Sequence, residues 1–179
     1  MVLQPTNDLV CFPLVAALGP GESRALRLGR RVAPGATEQT YRVYVEELPA
    51  LKKKSDTTTN LQVNNRVGVP VFVQPQHVLR SAHIQGAAVA DDTVSIRISN
   101  TGNVHYLPRS VHLRGLTASG QVALEASVPG WYILAGGERV FKMKTRPEVG
   151  SRLHAVEVEA ISDQLPLKQR IVLSTAVHE

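Results

Sequence analysis

The chain has 179 residues and a mass of 19.4 kDa, which allows one domain or two small ones. Hydrophobic residues make up 43% and charged residues 20%, which excludes wholesale disorder, while a single cysteine excludes a disulfide framework or a cysteine-based zinc cluster. The net charge of +5 comes from scattered basic residues without interleaved aromatics, and uncharged stretches reach only about 13 residues, so neither nucleic-acid binding nor membrane insertion is expected.

Alternation of apolar and polar residues dominates the chain and predicts strands rather than helices. In one segment Val94, Ile96 and Ile98 fall on one face, with Ser95 and Arg97 on the other. Turns that contain glycine or proline separate such segments at intervals typical of an all-β sandwich or barrel. The predicted strands, in chain order, are residues 9–16, 23–29, 39–48, 61–74, 77–84, 93–100, 109–117, 121–128, 138–144, 153–161 and 168–176.

A domain boundary is predicted at Pro75, where the long apolar segment 61–74 ends. Proline has no N–H with which to continue a β-ladder, so the strand is expected to stop there. Residues 76–179 then have the length of one immunoglobulin-like sandwich, which is about 100 residues. Residues 1–75 are short for a second complete sandwich.

Residues 61–73 form the most unusual segment of the sequence. Every odd position is apolar except Asn65, which predicts a strand of roughly 40 Å at about 3.3 Å per residue, much longer than usual. Such a strand would project past its own domain and present an apolar face beside an unpaired edge. Alternation alone leaves two interpretations open, an ordinary long core strand or an edge that pairs with another chain.

Five segments of the chain occur in an order that is familiar from one protein family. They are LGPGESR (18–24), YRVYVEELP (41–49), VPVFVQP (69–75), NTGNVH (100–105) and GWYILAGG (130–137). Through them the chain resembles the periplasmic pilus and fimbrial assembly chaperones of the chaperone–usher pathway, over residues 9–175. The resemblance implies an all-β fold with two immunoglobulin-like β-sandwich domains, 1–75 and 76–179.

The same resemblance implies that the first domain is incomplete. Residues 9–15 correspond to the fourth strand region of the family's first domain, so the signal peptide and the first three strands are expected to be missing. The first basic residue is Arg24, so no signal peptide with a charged N-terminal region is expected in this sequence.

The resemblance also implies a function, that of a non-enzymatic periplasmic chaperone without a cofactor. Its partners would be pilus or fimbrial subunits, which lack their last strand, and the outer-membrane usher at which they are assembled. The family caps a subunit by donor-strand complementation, in which a strand of the chaperone fills the subunit's apolar groove. By position, the implied donor residues are Leu61 and Val63, with Val67 and Val69 on the same face.

A second site in the family binds the C-terminal carboxylate of the subunit through a basic pair that includes a lysine on the donor strand. This chain has Pro70 at the lysine position. The anchor is then expected to be Arg42 or Arg66, since a guanidinium offers a planar fork of donors to a carboxylate. An exposed strand arginine without this role is the alternative for each of them.

Two other classes of function fit the sequence less well. An immunoglobulin-like adhesion or ligand-binding module that acts through its loops is the alternative, but no exposed aromatic cluster is indicated. The paired carboxylates or triad spacing of an enzyme are not found in the pattern. His77 and His83 have no cysteine or carboxylate beside them, so no metal site is predicted. The exposed edge of 61–73 also predicts self-association.

Overall fold

The computed structural model describes residues 4–48 and 63–173, and these are almost entirely β. Its elements, in chain order, are β1 (Leu9–Phe12), β2 (Arg27–Arg30), β3 (Gln39–Glu46), β4 (Arg66–Val73), β5 (Ala82–Ala90), β6 (Thr93–Asn100), β7 (Ser110–Leu116), β8 (Val122–Pro129), β9 (Glu138–Lys144), α1 (Pro147–Gly150), β10 (Ala155–Ile161) and β11 (Leu167–Val172). The all-β class predicted from the alternation is confirmed.

The second part of the molecule, residues 76–173, is a sandwich of two antiparallel sheets. One sheet has the strand order β5-β6-β9 and the other the order β11-β10-β7-β8. Alternation sends one side of each strand inward, so that Val94, Ile96 and Ile98 of β6 are fully buried. They belong to one core cluster with Leu113 of β7 and Val158 of β10, which face them from the other sheet.

The first part, residues 4–48 and 63–75, is built differently, as two separate two-stranded antiparallel sheets. β1 pairs with β2, with Leu9 opposite Arg30, and β3 pairs with β4, with Gln39 opposite Val73. Among the described residues, every buried apolar side chain of the core belongs to the second part. The first part therefore has strands without a core of its own.

The two parts meet at Glu38, whose side chain is only 1% exposed. Its carboxylate accepts hydrogen bonds from the backbone N–H and the ring Nδ1 of His105, both at 2.9 Å. The backbone N–H of Glu38 donates to the Asn103 carbonyl, and the Asn103 side-chain amide donates to the carbonyls of Ala36 and His77. The loop between β6 and β7 thus holds the start of β3.

Each predicted strand overlaps a strand of the structure, but several ends differ. The strand predicted at 77–84 runs instead from Ala82 to Ala90, because the hairpin to β6 turns at Asp91, whose φ is +50°. Ala87 and Ala88 have weak β-propensity, and their pairing with β6 overrides it. The one-turn helix α1 was not expected; Pro147 begins it with a φ suited to a first helical position.

The long strand predicted from residue 61 is shorter in the structure. β4 begins at Arg66, and residues 63–65 lie outside any strand, while Leu61 and its neighbour 62 lie outside the described residues. A ladder needs two strands, and β3 ends at Glu46, the partner of Arg66. Beyond this pair, the Glu47 N–H donates to the Asn65 carbonyl at 2.9 Å.

Candidate functional site

Strand β4 has one paired edge and one edge without a strand partner among the described residues. It pairs with β3 over its whole length, from Arg66 to Val73. Pro70 lies in the middle of β4 opposite Arg42, and proline is found in sheets chiefly on edge strands. The other edge therefore offers main-chain groups that a further strand can bind.

One face of β4 is apolar and open. Val67 is 58% exposed and Val69 is 44% exposed, and they pair with Val45 and Val43 of β3. Val63 is 70% exposed and lies just before β4, outside the strand. The valines predicted for the donor face are thus on the surface, with Val67 and Val69 in the strand itself, while Leu61 lies outside the described range.

Val67 on this face, together with Val43 and Val45 of β3, lines a cavity of about 840 Å³ in the first part. The cavity also has walls from the segment after β1, including Leu14, and from Leu26 just before β2. Nearby, the Tyr41 hydroxyl donates to Asp8 at 3.1 Å and ties β3 to the residue before β1. Burial, together with the adjacent Asp8 carboxylate, raises the pKa of Tyr41.

Arg66, one of the two expected carboxylate anchors, is already engaged within the hairpin. Its Nε lies 2.7 Å from a carboxylate oxygen of Glu46, and its guanidinium lies 4.1 Å from the centroid of the Tyr44 ring. Asn65 is held similarly, since its backbone and side-chain N–H groups both donate to Glu47. A free carboxylate would have to compete with Glu46 for Arg66.

Arg42, the other expected anchor, lies on the same face of the hairpin as Arg66, opposite to the face of Val67 and Val69, and it reaches the second part. Its Nη2 donates to the Tyr132 hydroxyl at 2.9 Å, and among the described residues no carboxylate pairs with it. Gly68 leaves room for it, because a Cβ at that position would lie 3.0 Å from Arg42 Cδ and 3.1 Å from a Tyr44 ring carbon.

An aromatic contact joins the end of β4 to the second part. Phe72 stacks on His105 with a centroid distance of 4.0 Å, and it meets Tyr132 edge-on at 5.5 Å. Together with the bond between His105 and Glu38, this contact fixes β4 to the loop after β6. Sequence reasoning missed the bond between Glu38 and His105, because the two residues are 67 positions apart and no local pattern links them.

Other kinds of site find no support in the part of the chain that the structure describes. Over residues 4–48 and 63–173 no three His, Cys, Asp or Glu side chains come together as a group that could hold a metal. His83 is instead 3.1 Å from the Ser99 hydroxyl across the β5–β6 hairpin. Within the same ranges no helix has the length and apolarity to cross a membrane.

Comparison with known proteins identifies the first part. Residues 2–79 match the profile of the pili and flagellar-assembly chaperones, PapD N-terminal domain. The first part of the chain is therefore similar to the N-terminal domain of these chaperones. The resemblance stated from the five sequence segments is therefore confirmed, and the match covers both the β3–β4 hairpin and the start of the loop that leads to β5.

Solved structures with a similar fold cover most of the chain. The class 5 fimbriae chaperone CfaA matches with 24% identity and a TM-score of 0.51, covering 92% of this chain and 72% of that one. A chain from a structure described as a chaperone–tip adhesin complex of CFA/I fimbriae biogenesis matches with 21% identity and a TM-score of 0.50, covering 94% and 74%. No curated protein matches this chain.

Proposed function

We propose that this chaperone caps fimbrial subunits by donor-strand complementation, with β4 as the donor strand. The observation that carries the proposal is the edge of β4 that has no strand partner among the described residues, next to the exposed Val67 and Val69. A subunit that lacks its last strand needs both features, main-chain groups for its ladder and alternate apolar side chains for its groove.

The donor residues divide into two groups by their present surroundings. Val67 and Val69 are held in register by β3, so they reach a subunit on a preformed strand. Val63, and Leu61 before it, would extend the strand only when the subunit supplies a second ladder. Each valine or leucine buried in the groove contributes about 1.5–3 kcal/mol before the cost of ordering is subtracted.

We assign the role of carboxylate anchor to Arg42 in preference to Arg66. Arg42 has a neutral partner, the Tyr132 hydroxyl, whereas Arg66 is bound to Glu46. A carboxylate that approaches Arg42 therefore exchanges only a neutral hydrogen bond for a charge-assisted one. Arg42 lies opposite Pro70, the position at which a lysine was expected from the resemblance.

The rest of the proposal concerns place, partners and domains. The chaperone acts in the periplasm, delivers its subunit to the outer-membrane usher and performs no enzymatic step. Residues 1–75 serve as the subunit-binding domain and residues 76–179 as a second immunoglobulin-like domain. In the absence of a subunit, the free edge of β4 favours self-association, which sedimentation at increasing protein concentration would detect as a rising mass.

Substitution of Val69 by aspartate tests strand donation, with Val122→Asp as the matched control. Both valines are 44% exposed and lie on strands at the edge of their sheets, β4 and β8. In the complex, the aspartate introduced by V69D would place an unpaired carboxylate against the apolar groove, which is strongly unfavourable. Co-purification of a fimbrial subunit should therefore be lost for V69D and kept for V122D.

Two results would contradict the proposal. One is full subunit binding by V69D, which would mean that this face does not enter the groove. The other is unfolding of free V69D at the temperature at which V122D stays folded, which would make Val69 an ordinary core residue. Thermal unfolding of both variants without a subunit separates these cases.

A further inference from the structure

A cavity in the second part has the composition of a ligand site that the chaperone function does not use. Its volume is about 190 Å³, and its walls come from residues 80–81, 104–107 and 162–165, together with Asn100 and Arg109. The donor strand and its hairpin are not part of these walls. A cavity of about 150 Å³ is enough to hold benzene, so this one has room for a small organic molecule.

The charges around the cavity leave one cation uncompensated. Arg109 donates from Nε and Nη2 to the same oxygen of Asp163, at 3.0 and 2.6 Å, so these two charges neutralise each other. Arg80 also lines the cavity, but its Nε donates to the neutral side-chain amide oxygen of Gln164. Among the described residues no carboxylate pairs with Arg80.

The remaining walls are mainly apolar and contain one unmet hydrogen-bonding group. Val104, Leu107 and Leu165 line the cavity beside Tyr106. Tyr106 is 6% exposed, and its hydroxyl has no hydrogen-bond partner within the described chain. A buried hydroxyl without an acceptor is unfavourable, so an oxygen-bearing ligand in this cavity would relieve that cost.

We propose that this cavity binds a small organic monocarboxylate with a short apolar body. The carboxylate would lie between the Arg80 guanidinium and the Tyr106 hydroxyl, and the apolar body would contact Val104 and Leu165. Burial raises the pKa of Tyr106 to about 12, so its hydroxyl stays protonated and can donate at neutral pH. Inorganic phosphate lacks an apolar body and is expected to bind less well.

The first experiment compares three probes on the whole chain by NMR titration of the backbone amides. Isobutyrate should shift the amide signals of residues 80–81, 104–107, 109 and 162–165 with one saturating Kd. Isobutyramide, of the same shape without the charge, and inorganic phosphate should each bind about tenfold more weakly or not at all, because a charge-assisted hydrogen bond and the apolar contact are then lost. N-acetylvaline, which resembles the C-terminal residue of a peptide, is compared with isobutyrate. Tighter binding of N-acetylvaline indicates a peptide C-terminus as the ligand, and tighter binding of isobutyrate indicates a free acid.

The second experiment uses variants to place the carboxylate. Arg80→Gln should weaken isobutyrate binding about tenfold, and Tyr106→Phe should weaken it several-fold, because each removes one donor. Arg97→Gln is the control, since Arg97 is an exposed arginine that pairs with Glu138 on the neighbouring strand of its own sheet, and neither residue lines the cavity. Equal binding of isobutyrate and isobutyramide, unchanged Kd in R80Q or in Y106F, or the same loss in R97Q would each overturn the proposal.

Discussion

The two parts of this protein have the same alternating sequence pattern but different amounts of buried surface. In the second part, two sheets face each other, and residues such as Ile96, Leu113 and Val158 are at most 1% exposed. In the first part, the corresponding side of β3 and β4 remains open, with Val45 and Val67 at 45% and 58% exposed. Alternation thus specifies a strand with two unlike faces, and only a facing sheet turns one of them into a core.

The difference also separates stability from function. The second part holds the buried apolar cluster, which is the dominant favourable contribution to folding. The first part carries the family match and the β4 edge that has no strand partner among the described residues. It is held to the second part through Glu38, Phe72 and Arg42. The strand donation proposed above needs such an open face, because a strand already buried in its own domain cannot enter another protein.

The largest expected effect comes from separating the two parts. Residues 76–179 alone should unfold in one cooperative thermal transition, because both sheets of their sandwich are complete. Residues 1–75 alone should show no such transition, since two-stranded sheets are marginal in water without packing. Circular dichroism during heating measures both. A cooperative transition in 1–75, or none in 76–179, would show that the boundary is placed wrongly.

The second largest effect is expected from a substitution in the core of the second part, compared with one on the exposed face of the first part. Ile96→Ala removes a fully buried side chain and should lower the free energy of unfolding by about 2–5 kcal/mol, because a cavity remains. Val67→Ala, on an exposed face, should change it by less than about 0.5 kcal/mol. Urea denaturation measures both values. A similar loss for the two variants would mean that the face of β4 is buried in solution.

Much of this fold could be predicted from the sequence, because its strands are defined by local patterns. Val94, Ile96 and Ile98 all point into the core, as their alternation predicts. Strand ends were harder to predict, since they depend on partners far along the chain. The end of β5 depends on pairing with β6, and the start of β4 depends on where β3 ends.

The candidate site could be predicted only in part, for the same reason. The exposed valines of β4 follow from alternation and from the resemblance to the chaperones. The contacts that hold β4 in place could not be predicted in this way, because His105 meets Glu38 and Phe72 only when the chain has folded. The sequence gives no reason to prefer Arg42 or Arg66 as the carboxylate anchor. Only their partners in the structure, Tyr132 and Glu46, distinguish them.

Alkaline pH should weaken the second part through Tyr106. Burial raises the pKa of Tyr106 to about 12 from an ordinary value near 10, so the folded state keeps a proton that the unfolded state releases. The free energy of unfolding should therefore be unaffected by the ionisation of Tyr106 below about pH 10 and should fall between about pH 10 and 12. The fall should be roughly 2–3 kcal/mol for a difference of about two pKa units. Urea denaturation across this range measures the decline.

Tyr106→Phe should remove most of that decline, because the variant has no proton to release. Tyr41, whose pKa is also raised by burial and by Asp8, should account for a smaller share, which Tyr41→Phe would isolate in the first part. An equally steep decline in Y106F would mean that another group causes the alkaline instability.

The smallest expected effect concerns the junction, where Glu38→Ala should loosen the first part without unfolding the second. The Glu38 carboxylate accepts from the backbone N–H and the ring of His105, and its loss leaves these groups without an acceptor. The cost should be about 1–3 kcal/mol, the penalty for an unmet buried polar group. Amide exchange should therefore speed up in β3 and β4 and stay unchanged in β6 and β10. Glu38→Gln, which keeps an acceptor oxygen for the His105 N–H, is the matched control and should restore most of the protection. If E38A changes exchange equally in both parts, or in neither, Glu38 does not hold them together.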